Sequence, residues 1–342
     1  MSKYLYLLLP AVILSFYFKF TGSEIVMFFM ACLAIVPLAG IMGEATDNLA
    51  CYTGEKIGGL LNATFGNATE LLITIFALKA GLFSVVKASI AGSILGNILL
   101  VLGLSILVGG LKNGLQYFDR THVNNQTSLM LLSVIALIIP AVFFHNKTSS
   151  LALEEFSVGV AVILFVLYFA GITFSMRRNS EVCEIAEAEG KWSKNKSILM
   201  LALSTVFIAL ESELLVSGIE PVTQALGWSE FFIGIIIIPI IGNAAEHSTA
   251  VLMAYKNKMD LAFEIAIGSS AQIALLVTPV LIFLSLLFAR PMNIMFNYYE
   301  LVAVGLAVLI AQFISLDGES NWLEGSLLVG AYLIIASAFF FV

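Results

Sequence analysis

Apolar stretches about as long as a bilayer core is thick fill most of this chain. A membrane-spanning helix needs roughly 20 predominantly apolar residues, and the 342-residue sequence contains eleven such stretches joined by short connections. Only 11% of the residues are charged, too few to cover a water-facing surface, for which about 25% is usual. The sequence therefore predicts an all-α integral membrane protein. The predicted spans are 4–20, 25–43, 57–78, 85–109, 127–145, 151–176, 197–219, 230–254, 261–289, 297–315 and 322–342.

Charge and cysteine content exclude several other classes of protein. The net charge is −7, with 16 basic against 23 acidic residues, which argues against a nucleic-acid partner. Cys32, Cys51 and Cys183 show no CxxC or histidine spacing, so neither a zinc site nor a disulfide framework is indicated. The first apolar run begins at Tyr4 and has no small-residue cleavage site, so we interpret it as a retained span. No cofactor is expected.

The distribution of Lys and Arg predicts the orientation, because positively charged connections stay cytoplasmic. The N-terminus and the even-numbered connections carry eleven basic residues, and the opposite side carries five. We therefore expect a cytoplasmic N-terminus and an external C-terminus.

An internal repeat predicts the architecture. Residues 57–102 align without a gap on 233–278, at an offset of 176, and 11 of the 46 positions are identical. The repeat pairs Gly66-Asn67-Ala68 with Gly242-Asn243-Ala244, and Glu70 with Glu246. Five predicted crossings separate the copies, so they run in opposite directions, as in secondary transporters with a midplane site. The expected domains are an N-terminal helix over 1–23, five-helix repeats over 24–176 and 197–342, and an acidic linker or short helix over 177–196.

The paired glutamates are the candidate transport site. Glu70 lies about 13 residues into a stretch of 22, and Glu246 about 16 residues into a stretch of 25. An ionised carboxylate at this depth costs about 2.5–3.5 kcal/mol or more, so a compensating partner is expected. Two adjacent carboxylates without a cation cannot both stay ionised and so hold a proton, whereas a divalent cation would expel it. Competition at the same oxygens predicts cation/proton exchange.

Neighbouring polar residues fit this chemistry. Asn67 and Asn243 each precede a glutamate by three residues and so share its helix face. Gly66 and Gly242 weaken the helix just before each pair, and Pro239 frees a backbone carbonyl near Ile235. The companion spans add oxygen ligands of the kind Ca²⁺ prefers, and no thiolate or imidazole cluster suggests zinc or copper. These companions are Ser93, Asn97, Ser269 and Gln272, for which helix–helix hydrogen bonding is the alternative role.

Three further groups of residues each have two alternative predicted roles. His247 follows Glu246 directly and so points about 100° away; we expect it to support the site or pack. Acidic residues toward the ends of spans 2 and 7 either line ion vestibules or mark water-facing helix ends: Glu44, Asp47, Glu211 and Glu213. The connection 177–196 is either a solvated linker or a regulatory, cation-attracting helix, with Glu181, Glu184 and Glu187 as its candidate residues.

The two motifs resemble the paired signature of the calcium/proton antiporter family, the CAX branch of the calcium/cation antiporters. They are Gly66-Asn67-Ala68-Thr69-Glu70-Leu71 and Gly242-Asn243-Ala244-Ala245-Glu246-His247, and residues 58–66, 92–97 and 317–322 are also similar to bacterial members. The resemblance covers nearly the whole chain. It implies export of cytoplasmic calcium in exchange for protons by alternating access. Glu70 and Glu246 would carry calcium and protons, assisted by Asn67 and Asn243.

The resemblance also implies which helices move and where the protein works. Spans 3, 4, 8 and 9 would form a relatively fixed core, while spans 2 and 7 expose the site alternately. The expected location is a multi-pass cell membrane, with a prokaryotic plasma membrane favoured and a vacuolar-type membrane as the alternative. Calcium, protons and lipid are the expected partners, and a homo-oligomer is left open.

Other functions stay open at this stage. A sodium/calcium or manganese/proton exchanger would use the same architecture, although the acidic motifs lack the Ser and Pro typical of sodium exchangers. A pH-gated cation channel could be built on the same carboxylates. The sequence offers no plausible set of catalytic residues for an enzyme, because it has three histidines, no HExxH motif and no Ser/His/Asp grouping.

Overall fold

The chain is helical nearly throughout. The computed structural model describes residues 3–53, 55–144, 150–176 and 192–341. In these ranges the strands are limited to an antiparallel pair, β1 (Gln116–Tyr117) with β2 (Glu319–Ser320). Helices satisfy their backbone hydrogen bonds within one segment, as a bilayer core requires. The predicted all-α membrane class agrees with this backbone.

Seven helices follow a 3₁₀ turn over Lys3–Leu8 in the described residues up to 176. They are α1 (Pro10–Thr21), α2 (Glu24–Thr53), α3 (Glu55–Phe65), α4 (Ala68–Ala80), α5 (Phe83–Asn113), α6 (Arg120–Phe143) and α7 (Ser150–Met176). Within α5, Gly96–Val101 is π-helical.

Residues 192–341, the described part of the C-terminal half, also contain seven helices. They are α8 (Lys194–Ser217), α9 (Ile219–Leu226), α10 (Glu230–Gly242), α11 (Ala244–Tyr255), α12 (Met259–Leu287), α13 (Tyr298–Ile314) and α14 (Trp322–Phe340). Three π-helical segments interrupt α10 and α12: Ile233–Ile237, Glu264–Gly268 and Ile273–Val277. Such segments often occur at functional sites.

In the described ranges, fewer helices than predicted are long and apolar enough to cross a membrane. Among the described residues, seven helices are long and apolar enough, and the bent pair α10–α11 makes an eighth. The predicted spans 4–20 and 297–315 correspond to shorter apolar helices, Tyr6–Thr21 and Tyr298–Ile314. The predicted span 57–78 is divided between α3 and α4. These three differences separate eight from the eleven predicted spans.

Helix α2 continues ten residues beyond the predicted end of span 2 at residue 43. Ala45, Thr46 and Leu49 are all buried in this extension. The prediction was wrong here because it ended the span where polar residues begin, whereas packing against neighbouring helices continues the helix.

Two hydrophobic clusters divide the interior. The larger cluster joins α5, α10 and α12 to the N-terminal part of α2 and the C-terminal part of α8, including Phe28 and Leu215. The smaller cluster joins the C-terminal part of α2 to the N-terminal part of α8 and to Ala68, and includes Met42 and Ile208. Helices α2 and α8 are therefore packed into the larger cluster over only part of their length.

Glycine allows α5 and α10 to approach each other closely. A Cβ on Gly92 would overlap the backbone carbonyl of Ile235 and lie 2.8 Å from its Cα atom. A Cβ on Gly234 would lie 2.8 Å from the Cβ of Ala88. This close backbone contact fixes the position of Ser93, the residue next to Gly92.

We expect Gly92→Ala to lower the thermal stability of the purified protein, because α5 and α10 must separate to admit the methyl group, at a cost of about 1–3 kcal/mol. Gly96→Ala is the matched control on the same helix, since nothing lies within 4 Å of its added Cβ. That control should be neutral or slightly stabilising. Equal melting temperatures for the two variants in detergent would contradict the close-contact explanation.

Candidate functional site

Two helix interruptions define the site. Helices α3 and α4 are separated at residues 66–67, and α10 and α11 at Asn243, with a bend of 59° between the latter two. Asn67 and Asn243 have nearly the same backbone angles, with φ of −97° and −103°. The interruptions fall where the sequence predicted that Gly66 and Gly242 weaken the helix. They are 176 residues apart, which is the repeat offset.

The interruptions place both carboxylates at the start of a helix. Glu70 lies in the first turn of α4, and Glu246 lies in the first turn of α11. A helix N-terminus carries a partial positive charge and unpaired N–H groups, which favour an anion. The broken helices thus supply part of the compensation that a buried carboxylate requires.

Glu70 receives hydrogen bonds from two other elements. Its Oε1 accepts from the Ser93 hydroxyl on α5 and from the Asn243 side-chain amide at the opposite interruption. Glu70 is 2% exposed. The carboxylate of one motif is therefore bound directly to the asparagine of the other.

Glu246 has a related set of contacts. Its Oε2 lies 2.8 Å from Ser269 Oγ, which also lies 2.9 Å from Asn67 Oδ1. Asn67 in turn donates to Gln272 Oε1 at 2.6 Å. Unlike Glu70, Glu246 is partly exposed.

Each motif's glycine leaves room for the other motif's glutamate. A Cβ on Gly66 would lie 3.1 Å from Glu246 Oε1, and a Cβ on Gly242 would lie 3.0 Å from Glu70 Cγ. The serine–glutamate hydrogen bonds also correspond, because Ser93 and Ser269 each lie 23 residues after their glutamate. The two copies of the motif thus build one site, although Asn67 and Asn243 have different partners.

Asn97 and His247 meet beside the carboxylates. His247 Nε2 lies 3.2 Å from Asn97 Oδ1, and Asn97 is 1% exposed. This contact agrees with the expectation that His247 supports the site. The pairing itself was not predicted, because no sequence spacing connects these two residues.

Two buried oxygen atoms at the site have no hydrogen-bond partner in the part of the chain that the structure describes. They are Glu70 Oε2 and Asn243 Oδ1, and they come from opposite motifs. No group of three or more His, Cys, Asp or Glu side chains among the described residues could hold a metal ion. A cation here would bind the two carboxylates and complete its shell with amide, hydroxyl, carbonyl and water oxygens, which suits a hard cation such as Ca²⁺.

The four acidic residues predicted near the ends of spans 2 and 7 lie in different environments. Asp47 and Glu213 are exposed, and Glu44 is partly exposed and accepts a hydrogen bond from Tyr6 Oη at 3.3 Å. Glu211 is fully buried, so in this structure it neither lines a vestibule nor faces water. Glu181, Glu184 and Glu187 lie outside the described residues.

One acidic residue was missed by the sequence analysis. Glu220 lines a cavity of about 770 Å³ together with Glu24, between the start of α2 and helix α9. It lies at the repeat offset of 176 from Glu44. Extending the repeat alignment toward the N-terminus would have identified it.

This fold and site define a membrane cation exchanger, and the chain belongs to the sodium/calcium exchanger protein family. The profile of that family matches residues 23–177 and again residues 196–341. Within the family, the predicted resemblance to calcium/proton antiporters is confirmed by closely similar relatives, which are transporters and not enzymes.

Two relatives and one solved structure are similar to this chain over nearly its whole length. The chain is 46% identical to the Ca(2+)/H(+) antiporter of Aphanothece halophytica, covering 93% of this chain and 91% of the relative. It is 45% identical to the Ca(2+)/H(+) antiporter ChaA of Bacillus subtilis (strain 168), covering 92% of each chain. The solved structure of native YfkE superposes with a TM-score of 0.88 at 42% identity, covering 99% of this chain and 100% of that chain.

Proposed function

We propose that this chain exchanges calcium for protons at the site formed by Glu70 and Glu246. The observation that carries the proposal is a pair of buried oxygens from opposite motifs, Glu70 Oε2 and Asn243 Oδ1, that have no hydrogen-bond partner among the described residues, although the two side chains bond each other through Asn243 Nδ2 and Glu70 Oε1. The names of the relatives support calcium and protons as the exchanged ions. The family profile alone would leave sodium open, but these relatives favour the proton as counter-ion.

The hydrogen bonds of Ser269 indicate where the proton is held. Its hydroxyl has one hydrogen, yet it lies within 3 Å of two acceptors, Asn67 Oδ1 and Glu246 Oε2. If Glu246 is protonated, its own hydroxyl donates to Ser269, and Ser269 donates to Asn67. We therefore assign the proton to Glu246 in this state.

Glu70 has the opposite character. Both glutamates lie in the first turn of a helix, but the Oε1 of Glu70 accepts from two donors, Ser93 and Asn243, which favours its ionised form. The two carboxylates are also close enough to repel each other when both are ionised. One ionised and one protonated carboxyl group therefore form a stable calcium-free pair.

Exchange follows from competition at these groups. Calcium attracts both carboxylates in their ionised form, so its binding expels the proton from Glu246. Protonation of Glu246 in turn removes one negative ligand and weakens calcium binding. A proton gradient would thereby drive calcium export from the cytoplasm.

We propose the eleven-crossing architecture with two inverted five-helix repeats after α1. The separate profile matches at 23–177 and 196–341 support this division. The matching interruptions at Asn67 and Asn243 support it as well. In this arrangement α1, α13 and the pair α3–α4 each cross the membrane despite their shorter helices, and the site lies near the midplane.

Alternating access is supported by the two hydrophobic clusters. The N-terminal part of α2 and the C-terminal part of α8 belong to the larger cluster, while their opposite parts form the smaller one. With the N-terminus cytoplasmic, as the Lys and Arg distribution predicts, the smaller cluster lies on the cytoplasmic side. The partly exposed Glu246 agrees with a site that opens to the cytoplasm in this state.

We expect Glu70→Gln and Glu246→Gln each to reduce calcium-coupled proton movement at least roughly a hundredfold, since losing one partner of a buried charged site costs about 3 kcal/mol or more. The assay is calcium uptake into proteoliposomes that are acidic inside, with an internal pH dye. Glu155→Gln is the control, because Glu155 is exposed on α7. Retained transport in both site variants would overturn the proposal. Calcium movement only down its own gradient in wild type would instead indicate a channel.

A second pair of variants tests the role of Ser269. We expect Ser269→Ala to raise the KM for calcium about tenfold, because it removes a hydroxyl that contacts both motifs, worth about 1–2 kcal/mol. Ser270→Ala is the matched control, since Ser270 bonds only the backbone of Ala266 among the described residues, at 2.8 Å. Equal KM values for the two variants would show that Ser269 does not position Glu246.

A further inference from the structure

A third buried carboxylate, Glu211 on α8, lies outside the candidate cation site. It is 0% exposed. At the repeat offset of 176 the corresponding position is Ile35, a fully buried apolar residue of α2. The two halves differ here, so the shared architecture of the repeats does not account for Glu211. Its hydrogen-bond partner is on α1, which belongs to neither repeat.

The contacts of Ser15 constrain the protonation state of Glu211. Ser15 Oγ lies 2.8 Å from Glu211 Oε1 and 2.8 Å from the backbone carbonyl of Val12. The hydroxyl has one hydrogen and can donate it to only one of these acceptors. An ionised Glu211 would leave one of the two short oxygen–oxygen contacts without a hydrogen. A protonated Glu211 donates to Ser15, and Ser15 donates to Val12, so both contacts are hydrogen bonds.

Burial supports the same assignment. Glu211 Oε2 is buried and has no hydrogen-bond partner among the described residues. Glu70 also has one unpartnered oxygen, but it receives two donors on its other oxygen and lies at a helix N-terminus. An ionised Glu211 would have at most the Ser15 hydroxyl as donor, so its negative charge would be buried with little compensation, which is strongly unfavourable. Ser15 is also 0% exposed, so bulk water does not reach this contact.

We propose that Glu211 is a proton-holding positioning residue: in its protonated form it donates a hydrogen bond to Ser15 and fastens α1 to α8. Loss of this proton leaves Ser15 with two acceptors for one hydrogen and leaves a bare charge on Glu211 Oε2. The α1–α8 contact then weakens, which makes it sensitive to alkaline pH.

The groups around Glu211 are compatible with a neutral carboxyl. Cys32 on α2 is close enough to affect Glu211 electrostatically when both are ionised, and α1 contributes the Ser15 hydroxyl. A thiolate at Cys32 would oppose ionisation of Glu211 further. The other titratable residues of the helices packed against α8 include Tyr17 and Lys19 on α1, Glu24, Glu44 and Asp47 on α2, Glu70 and Lys79 on α4, and Glu220 on α9.

A second hydroxyl–carboxyl contact joins the N-terminal segment to the other helix proposed to move. Tyr6 Oη donates to Glu44 Oε2 on α2 at 3.3 Å. The N-terminal segment therefore bonds acidic side chains on both α2 and α8. The consequence for transport, that α1 moves together with α2 and α8, rests on the proposed function.

Infrared spectroscopy of the purified protein tests the protonation directly. The wild-type minus Glu211→Gln difference spectrum should contain a carboxylic-acid C=O band at neutral pH that disappears on alkalinisation. Ser15→Ala should shift this band, because the acid O–H then loses its acceptor and the C=O stretching frequency of a carboxylic acid depends on whether its O–H is hydrogen-bonded. A carboxylate band at neutral pH in place of the acid band, or no shift in Ser15→Ala, would overturn the proposal. Neither result depends on transport, so failure here is distinct from failure of the exchange function.

Labelling of the native Cys32 thiol tests whether protonated Glu211 holds α1 against α8. In a Cys51→Ser/Cys183→Ser background, labelling of Cys32 by N-ethylmaleimide is followed as the pH rises. Intrinsic thiol reactivity increases with pH in every variant, so Glu211→Gln, which keeps a neutral donor to Ser15, supplies the baseline. We expect the protein with Glu211 to label several-fold faster than Glu211→Gln at alkaline pH, and Ser15→Ala to label fast already at neutral pH. Superimposable pH profiles for all three would overturn the proposal.

Discussion

The cost of placing two carboxylates in an apolar interior is the constraint on which the rest of this structure depends. An ionised acidic side chain at the centre of a membrane helix costs about 2.5–3.5 kcal/mol or more. Interrupting the helices at Asn67 and Asn243 places Glu70 and Glu246 at helix N-termini, where the charge is less unfavourable. Gly66 and Gly242 then admit the opposite carboxylate, and Asn243 bonds Glu70 directly. Neither interruption would provide this compensation alone, which explains why the motif occurs twice.

The two glutamates that we propose to be protonated share the same kind of contact with a serine. Ser269 lies between Asn67 and Glu246, and Ser15 lies between Val12 and Glu211. In both cases the serine has one hydrogen but two acceptors nearby. If the glutamate is protonated, it donates to the serine, and the serine donates to the other acceptor, so both contacts are hydrogen bonds. The two glutamates differ in their exposure to solvent. Glu246 is partly exposed and can exchange its proton as the site opens, whereas Glu211 is sealed between α1, α2 and α8.

The sequence predicted the components of the site better than their connections. Glu70, Glu246 and the two serines follow from the repeat offset, and the membrane class follows from the length of the apolar stretches. The bond from Asn243 to Glu70 and the pairing of Asn97 with His247 depend on how distant helices pack, which no spacing encodes. The extension of α2 to Thr53 was hidden because hydropathy does not show where a helix continues beyond an apolar stretch. The interruption of 57–78, by contrast, falls where Gly66 was predicted to weaken the helix. Glu211 was interpreted by its position near a predicted span end, although its environment is set by α1.

The most direct test of the central account is the number of protons released when calcium binds to the purified, weakly buffered protein. The assignment of a proton to Glu246 predicts that calcium binding acidifies the medium, and that Glu246→Gln loses this release while the folded protein is retained. The signal should decline as the pH rises, because Glu246 then loses its proton before calcium arrives. Calcium binding without proton release in the wild-type protein at neutral pH would contradict the account.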